Sequence, residues 1–291
     1  MSDFRFGVNM LSLGSRAEWI EKCRRAEELG FDVIGVPDHL GLPAPFPAMV
    51  LAAAVTERVR VNSFVLNVPF YNPVLLAREV ATVDLLTDGR VEIGLGAGYV
   101  KAEFDAAGIA FPTGRQRVEQ LAETVSTFRK LFGDNGYEPQ PTRPGGPPLL
   151  IAGWGDRLLR VAAEHADVIA FTGAGTDDSG HLTGAGPEAL DRRVEYVRGL
   201  LGARRDRVEF NLLLQALAGP GERPELVERM AAHLPPDLLE RVEEVPMLLV
   251  GDHAEMADRL RERRERFGIN YLTVLEPNMA KFAPLIPLLR S

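Results

Sequence analysis

Short, unbroken apolar runs, each followed by a helical pattern, recur along this chain and restrict its fold more than any other feature. Strand candidates fall at 4–9, 32–36, 59–67, 90–96, 148–152, 167–172, 208–217 and 270–276, and each of the first seven leads into a helical pattern. The runs are continuous rather than alternating, as expected of parallel strands covered by helices on their faces. The first unit shows the local logic. Ser15 with Glu18 three residues later forms a capping-box signature, Ala17, Ile20, Cys23 and Ala26 recur at helical spacing, and Gly30 sits where a left-handed residue ends the helix. Eight βα units in 291 residues predict an α/β fold of the (β/α)8 TIM-barrel class, with 1–291 as a single domain.

A doubly wound dinucleotide-binding sheet shares the same local pattern. The stretch "RVEIGLGAGY", Arg90 to Tyr99, carries Gly94, Gly96 and Gly98 and resembles a pyrophosphate loop. Its spacing is GxGxG rather than GxGxxG, and it follows the fourth strand instead of the first. The glycines therefore predict a sharp turn at a barrel mouth with room for a flat ligand. Three longer excursions interrupt the units: 133–148, the glycine-rich 172–188, and the Pro-punctuated 219–251. The last two follow strand C-terminal ends, where barrels place their active sites.

Composition bounds the partners. With 41 acidic against 33 basic residues and a net charge of −8, the surface repels nucleic acid and anionic lipid. No run of 18 apolar residues spans a membrane and the first residues do not form a signal peptide, which predicts a cytoplasmic protein acting on a small molecule. Cys23 is the single cysteine, read as a buried small hydrophobe.

Residues just past the strand ends are the chemical candidates: Asn9 and Met10, then Asp38 and His39 in "PDHL", then "NVPFYNP", "GAGY" and "AGWGDR". His39 can carry a proton near neutral pH, with Asp38 beside it to fix the tautomer. His165 belongs to the opposite end and reads as solvated. His181 lies in a loop able to reach the mouth, whereas His233 and His253 offer nothing specific. No residues have metal-ligand spacing on a shared helix face, so no metal is expected. At "AGWGDR" a strand stops at Gly153 and a helix begins near Asp156. Small residues there leave backbone N–H groups free at the positive end of a helix, a phosphate site to which Arg157 can add charge. The alternative is a plain βα loop capped by Asp156.

Three blocks, "VIGVPDHL", "NVPFYNPVLLAREVATVDLLTDGRVEIGLGAGY" and "PPLLIAGWGDRLLRVAAEHADVI", together resemble the luciferase-like monooxygenase superfamily, and within it the oxidoreductases that use the deazaflavin coenzyme F420. The resemblance implies a cofactor pocket at the barrel mouth and a homodimer. It places the flat ring against a bulge at Asn67-Val68-Pro69, with a cis bond at Asn67–Val68 or, as the easier alternative, Val68–Pro69. Gly96, Ala97 and Gly98 would flank the ring, and the tail phosphate would meet Gly153, Trp154, Gly155 and Arg157. His39 matches the family's proton-carrying histidine, and Met10, Phe70 and Tyr71 would wall the substrate pocket. The sequence departs from the dehydrogenases of the branch at two places. Tyr99 stands directly after the GxG run where they have glutamate, and "GLPAPF" replaces a tryptophan after the histidine. Tyr99 can donate a hydrogen bond to a substrate oxygen, although a phenol is a poor substitute for a carboxylate. The expectation is hydride transfer between F420 and a small organic substrate, with His39, Asp38 and Tyr99 as catalytic residues. The alternatives are an FMN-dependent monooxygenase, or a non-catalytic barrel that binds a flavin or deazaflavin.

Overall fold

The computed structural model describes residues 3–176 and 182–290. The barrel strands are β1 (Arg5–Asn9), β2 (Val33–Val36), β3 (Arg60–Ser63), β4 (Leu66–Asn67), β5 (Val91–Gly96), β6 (Leu149–Gly153), β7 (Val168–Phe171), β10 (Glu209–Leu214) and β13 (Ile269–Leu275). Outside the barrel lie β8 (Ala174–Thr176), β9 (Leu182–Gly184), β11 (Ala216–Ala218) and β12 (Leu248–Val250). The helices used below are α1 (Arg16–Glu28), α2 (Pro45–Ala54), α3 (Pro73–Leu86), α4 (Lys101–Ala107), α5 (Gly114–Phe132), α6 (Asp156–His165), α7 (Pro187–Leu201), α8 (Arg223–Met230), α9 (Pro236–Glu240) and α10 (His253–Phe267).

The main sheet runs β3-β2-β1-β13-β10-β7-β6-β5-β4, with parallel pairing throughout. Val61–Val91 and Asn62–Glu92 contacts join β3 to β5 and close the sheet into a barrel. Because β3 and β4 share one position, the cylinder has eight strand positions, the predicted (β/α)8 fold. Helices cover its outer face through buried stripes such as Trp19, Cys23 and Ala26 of α1. Cys23 is packed as the small hydrophobe expected, and burial pushes its thiol pKa up to about 12. The Ser15–Glu18 capping box forms, and Gly30 takes φ +93°.

Three expectations need correction. The run 59–67 is not one strand: it breaks at Phe64–Val65, and the non-prolyl cis peptide lies there rather than at Asn67–Val68 or Val68–Pro69. Leu66 and Asn67 already pair with Leu95 and Gly96, so the bulge ends before Asn67. Gly94 and Gly96 of β5 make room for this bulge. A Cβ on Gly94 would lie 2.0 Å from the Ser63 carbonyl oxygen, and one on Gly96 would lie 2.6 Å from the Val65 side chain. Finally, 208–217 divides, because β11 leaves the barrel and pairs in parallel with β12.

The excursion between β10 and α10 has a small core of its own, built from Leu226, Leu234, Leu238, Val242, Val245 and Leu248. Buried Arg263 of α10 fastens it by donating to the carbonyls of Val245, Pro246 and Leu248 at 3.2, 2.7 and 2.9 Å. Within 172–188, β8 and β9 form an antiparallel hairpin. His181 lies outside the described residues. Among the described residues no helix is long and apolar enough to cross a membrane, and no three His, Cys, Asp or Glu side chains are grouped to hold a metal ion.

Candidate active site at the barrel mouth

His39 stands just beyond β2 with its side chain 35% exposed, and its Nδ1 lies 2.7 Å from Oε1 of Glu103. A carboxylate at that distance accepts from Nδ1–H and leaves Nε2 as the nitrogen free to exchange a proton. Glu103 was not anticipated from the sequence. It comes from α4, a two-turn helix that begins after Tyr99 and ends at Gly108, whose φ of +69° reverses the chain. The other carboxylate oxygen, Oε2, is buried with no partner among the described residues.

The insert that carries Glu103 is held at both ends. Arg117 of α5 donates from Nε to the Gly98 carbonyl at 3.0 Å, and from Nη1 to the Pro112 carbonyl. Its guanidinium lies 4.3 Å from the centre of the Phe111 ring. Phe104, the fully buried neighbour of Glu103, packs between Phe111 and Phe70 at centroid distances of 4.9 and 4.8 Å. One arginine therefore ties the start of the insert to its end, and an aromatic row joins it to the segment following β4.

Asp38 does not orient His39. Its Oδ2 accepts the Asn67 backbone N–H and the Tyr71 hydroxyl, both at 2.9 Å, which staples the β2 loop to the far side of the bulge. Asp38 and His39 lie past the end of β2 and turn to different partners, the first to the segment after the bulge and the second to α4. Burial pushes the Asp38 carboxyl pKa up, against the opposing pull of those two hydrogen bonds. Tyr99 meets the His39 ring edge-on, with centroids 5.9 Å apart and planes at 83°. Burial, and then the nearby Glu103 charge, push its phenol above the usual range, leaving a neutral hydrogen-bond donor.

The remaining expected residues divide between the mouth and the core. Phe70 and Ala97 are half-buried, whereas Met10 has no exposed surface to offer a substrate and Val68 is also buried. Tyr71 sends its hydroxyl to Asp38 and packs its ring edge-on against Phe46 of α2, behind the bulge. Asn67 turns its buried Oδ1 toward Gly98, and that oxygen has no partner among the described residues.

Across the mouth, β6 ends at Gly153 and α6 starts from Gly155, which is the N-cap and makes no side-chain hydrogen bond. Asp156 is thus the first helical residue and not the cap, and its carboxylate is bonded by Arg193 of α7. A Cβ on Gly153 would come within 2.2 Å of Leu158, while one on Gly155 would meet nothing within 4 Å. The first-turn amides are open to an anion beside half-buried Trp154 and exposed Arg157. His165, at the other end of α6, is partly buried, which lowers its pKa against the pull of Glu164. A row of small residues, an uncapped helix start, two buried acceptors lacking donors and an oriented imidazole suit a flat heterocycle with an anionic tail.

No sequence signal marked Glu103, because Val100 caps α4 without a side-chain bond. Glu276, after β13, was also missed. It accepts the Leu11 and Ser12 amides at 2.7 and 3.0 Å and pairs with Lys22 at 2.6 Å, fixing the loop after β1.

Comparison with known proteins agrees with this architecture. The family model of luciferase-like monooxygenases matches residues 3–271. An F420-dependent glucose-6-phosphate dehydrogenase from Amycolatopsis mediterranei is 32% identical over 222 residues, which are 65% of this chain and 67% of that protein. One of the same description from Kribbella flavida is 34% identical over 181 residues, and the match spans about half of each chain, 54% in both. A solved F420-dependent secondary alcohol dehydrogenase in complex with an F420–acetone adduct superposes with a TM-score of 0.76, covering 100% of both chains at 19% identity. The closed barrel, the bulge between β3 and β4 and the match over nearly the whole length lead to one assignment: the chain belongs to the luciferase-like monooxygenase family.

Proposed function

We propose that this protein is an oxidoreductase that moves a hydride between the deazaflavin coenzyme F420 and a small organic substrate, with His39 moving the accompanying proton. The contact between His39 Nδ1 and Glu103 at 2.7 Å carries the reading. Bound at the mouth, the coenzyme supplies the ring carbon that takes up or gives back the hydride. The protein's task is orientation and proton handling. Glu103 fixes the imidazole tautomer and stabilises the imidazolium that forms when Nε2 takes the proton of a substrate hydroxyl. The Tyr99 phenol donates to the substrate oxygen. Asn67 presents an acceptor to the ring edge, and the α6 amides hold the tail phosphate. In the oxidative direction His39 Nε2 would take the O–H proton of the substrate as the bound coenzyme accepted the hydride from its C–H bond, leaving a carbonyl product.

Tyr99 stands where dehydrogenases of the branch have glutamate, and Glu103 places a carboxylate beside His39 from a different position. Titrating the protein with oxidised F420 and with FMN, then repeating this with His39→Asn and Glu103→Gln, tests the reading. We expect deazaflavin to bind wild type and both variants alike. Turnover should fall about 100-fold or more in His39→Asn, the usual contribution of a positioned acid or base. Preference for FMN overturns the cofactor assignment, and unchanged turnover in His39→Asn overturns the role of the histidine.

We also place a second copy of the chain on the face formed by α2 and α3. An apolar groove runs there between Phe46, Val50 and Leu51 on one side and Thr82 and Val83 on the other, and Val74, Leu75, Leu85 and Leu86 of α3 are exposed. Exposed apolar side chains gathered on one face suit a protein–protein contact. Sedimentation of wild type as a dimer and of Leu86→Asp as a monomer is the expected outcome.

A further inference from the structure

We infer that Tyr71 is a positioning residue for His39 and acts through Asp38: its hydroxyl steadies the carboxylate that anchors the main chain of the loop bearing the histidine. The inference rests on the reading of His39 as the proton carrier and adds how its backbone is held. A side chain that hands over a proton has to be fixed at both ends, at its ring and at the chain it hangs from, because small misplacements cost rate steeply. Glu103 fixes the ring. The other end falls to Asp38, the residue before His39.

The loop between β2 and α2 has few ties. Pro37 lacks an N–H, Gly41 takes φ +92°, and the Leu42 N–H closes the loop on itself by donating to the His39 carbonyl at 3.1 Å. Among the described residues, the hydrogen bonds that leave 37–43 are made by two side chains, Asp38 and His39. His39 Nδ1 reaches Glu103 at 2.7 Å, and Asp38 Oδ2 accepts the Asn67 N–H and the Tyr71 hydroxyl, both at 2.9 Å. Tyr71 stands on a stiff corner. Its N–H donates to the Val68 carbonyl at 3.0 Å, and its neighbour Asn72 caps α3 by accepting the Val74 and Leu75 amides at 3.0 and 3.2 Å. Its ring meets Phe46 edge-on, with centroids 6.4 Å apart and planes at 82°.

The two donors to Asp38 differ in kind. The Asn67 amide is backbone and would be present with any residue but proline at that position. The Tyr71 hydroxyl is a side-chain donor, so a single substitution removes it and leaves the main chain in place. Burial raises the Tyr71 phenol pKa and the Asp38 charge raises it further, so the hydroxyl keeps its proton and stays a donor. A carboxylate oxygen with two charge-assisted hydrogen bonds is fixed in direction as well as in distance. With the amide alone it can pivot about that one bond, and His39, next in the chain, pivots with it. The Nδ1 contact with Glu103 then breaks for part of the time, and in that fraction the ring is free to carry its proton on Nε2, the nitrogen needed as the acceptor. Tyr71, expected from the sequence to wall the substrate pocket, thus bears on the reaction through the aim of the imidazole.

The test reads the tautomer of neutral His39 by nitrogen NMR, with signals assigned by the His39→Asn variant, in protein alone and in protein with F420. Wild type should hold the Nδ1–H form almost exclusively. In Tyr71→Phe the ratio of Nδ1–H to Nε2–H should fall about tenfold, the scale of losing one hydrogen bond to a charged group. Phe46→Leu disturbs the packing of the Tyr71 ring and keeps its hydroxyl, so it should leave the ratio unchanged. In an Asp38→Asn background, Tyr71→Phe should alter the ratio by less than about twofold, because the two residues act in series. An unchanged ratio in Tyr71→Phe overturns the inference. So does an equal fall in Phe46→Leu, or the full fall in the Asp38→Asn background, since either makes the effect one of ring packing. Failure of F420 to bind would instead sink the hydride-transfer reading, and the ratios in the coenzyme-free protein would still decide this one.

Discussion

The two walls of the barrel mouth are built differently. On the β2–β5 side, side chains cross-link every segment: Asp38 to Asn67 and Tyr71, Glu103 to His39, and Arg117 to Gly98 and Pro112. The backbone there is shaped by steric exclusion, since Gly94 and Gly96 admit the bulge and nothing larger. On the β6–β7 side the helix start is an uncapped glycine with open space around it, followed by a hairpin. The difference matches the chemistry proposed above for each wall. Proton transfer needs donor and acceptor fixed to a fraction of an ångström, which only mutual restraint of side chains provides. Anion binding needs aligned N–H groups, which a helix start provides by itself.

The comparison can be broken most severely at Gly94. A Gly94→Val side chain would run into the Ser63 carbonyl, a backbone atom that cannot turn aside, so we expect a loss of about 3 kcal/mol or more in urea unfolding. Unchanged stability would mean that the bulge wall is soft. Next is Arg117→Met, which keeps an apolar stem over Phe111 and removes both carbonyl bonds. It should lower kcat about tenfold, about 1.4 kcal/mol, leave deazaflavin affinity intact, and be partly rescued by Arg117→Lys. An unaltered pH–rate profile with full kcat would show that the insert needs no tie.

A smaller effect is expected at Glu276. Burial raises its carboxyl pKa, but Lys22 and the Leu11 and Ser12 amides outweigh this and hold it below the ordinary value of 4.5. A depressed carboxylate contributes stability above its unfolded pKa, and that stability is lost as pH falls through the folded value. Glu276→Gln should thus cost about 1 kcal/mol at neutral pH and progressively less as pH falls below 4.5, as read by urea melts. Smallest of all is Gly155→Ala, where the added methyl meets no atom. Stability should hold within about 0.5 kcal/mol, and affinity for the coenzyme tail should change by less than about threefold. A large loss there would make the second wall as demanding as the first.

The sequence showed the barrel clearly because parallel strands buried on both faces leave continuous apolar runs, and because capping signals such as Ser15 with Glu18 are local. The bulge was misplaced for the same reason: "SFVLNV" is apolar throughout, so nothing punctuates the break at Phe64–Val65. His39 was legible from its strand-end position, but its partner was not. Val100 caps α4 without any side-chain bond, which left the helix bearing Glu103 unmarked. Asp38 misled because neighbours in sequence were assumed to be neighbours in space. Its real partners lie 29 and 33 residues away.

The separate core of the excursion has an evolutionary consequence. Its buried positions, from Leu226 to Val250, pack mainly on one another and are tied to α10 by Arg263 and Arg259 and to the β8–β9 hairpin by the Gly184 N–H to the His233 carbonyl. Substitutions inside it can accumulate, and its helices can lengthen or shorten, without disturbing the register of the barrel strands. A lineage can therefore reshape what covers one side of the mouth while the proton-transfer wall stays fixed, so that specificity drifts faster than mechanism.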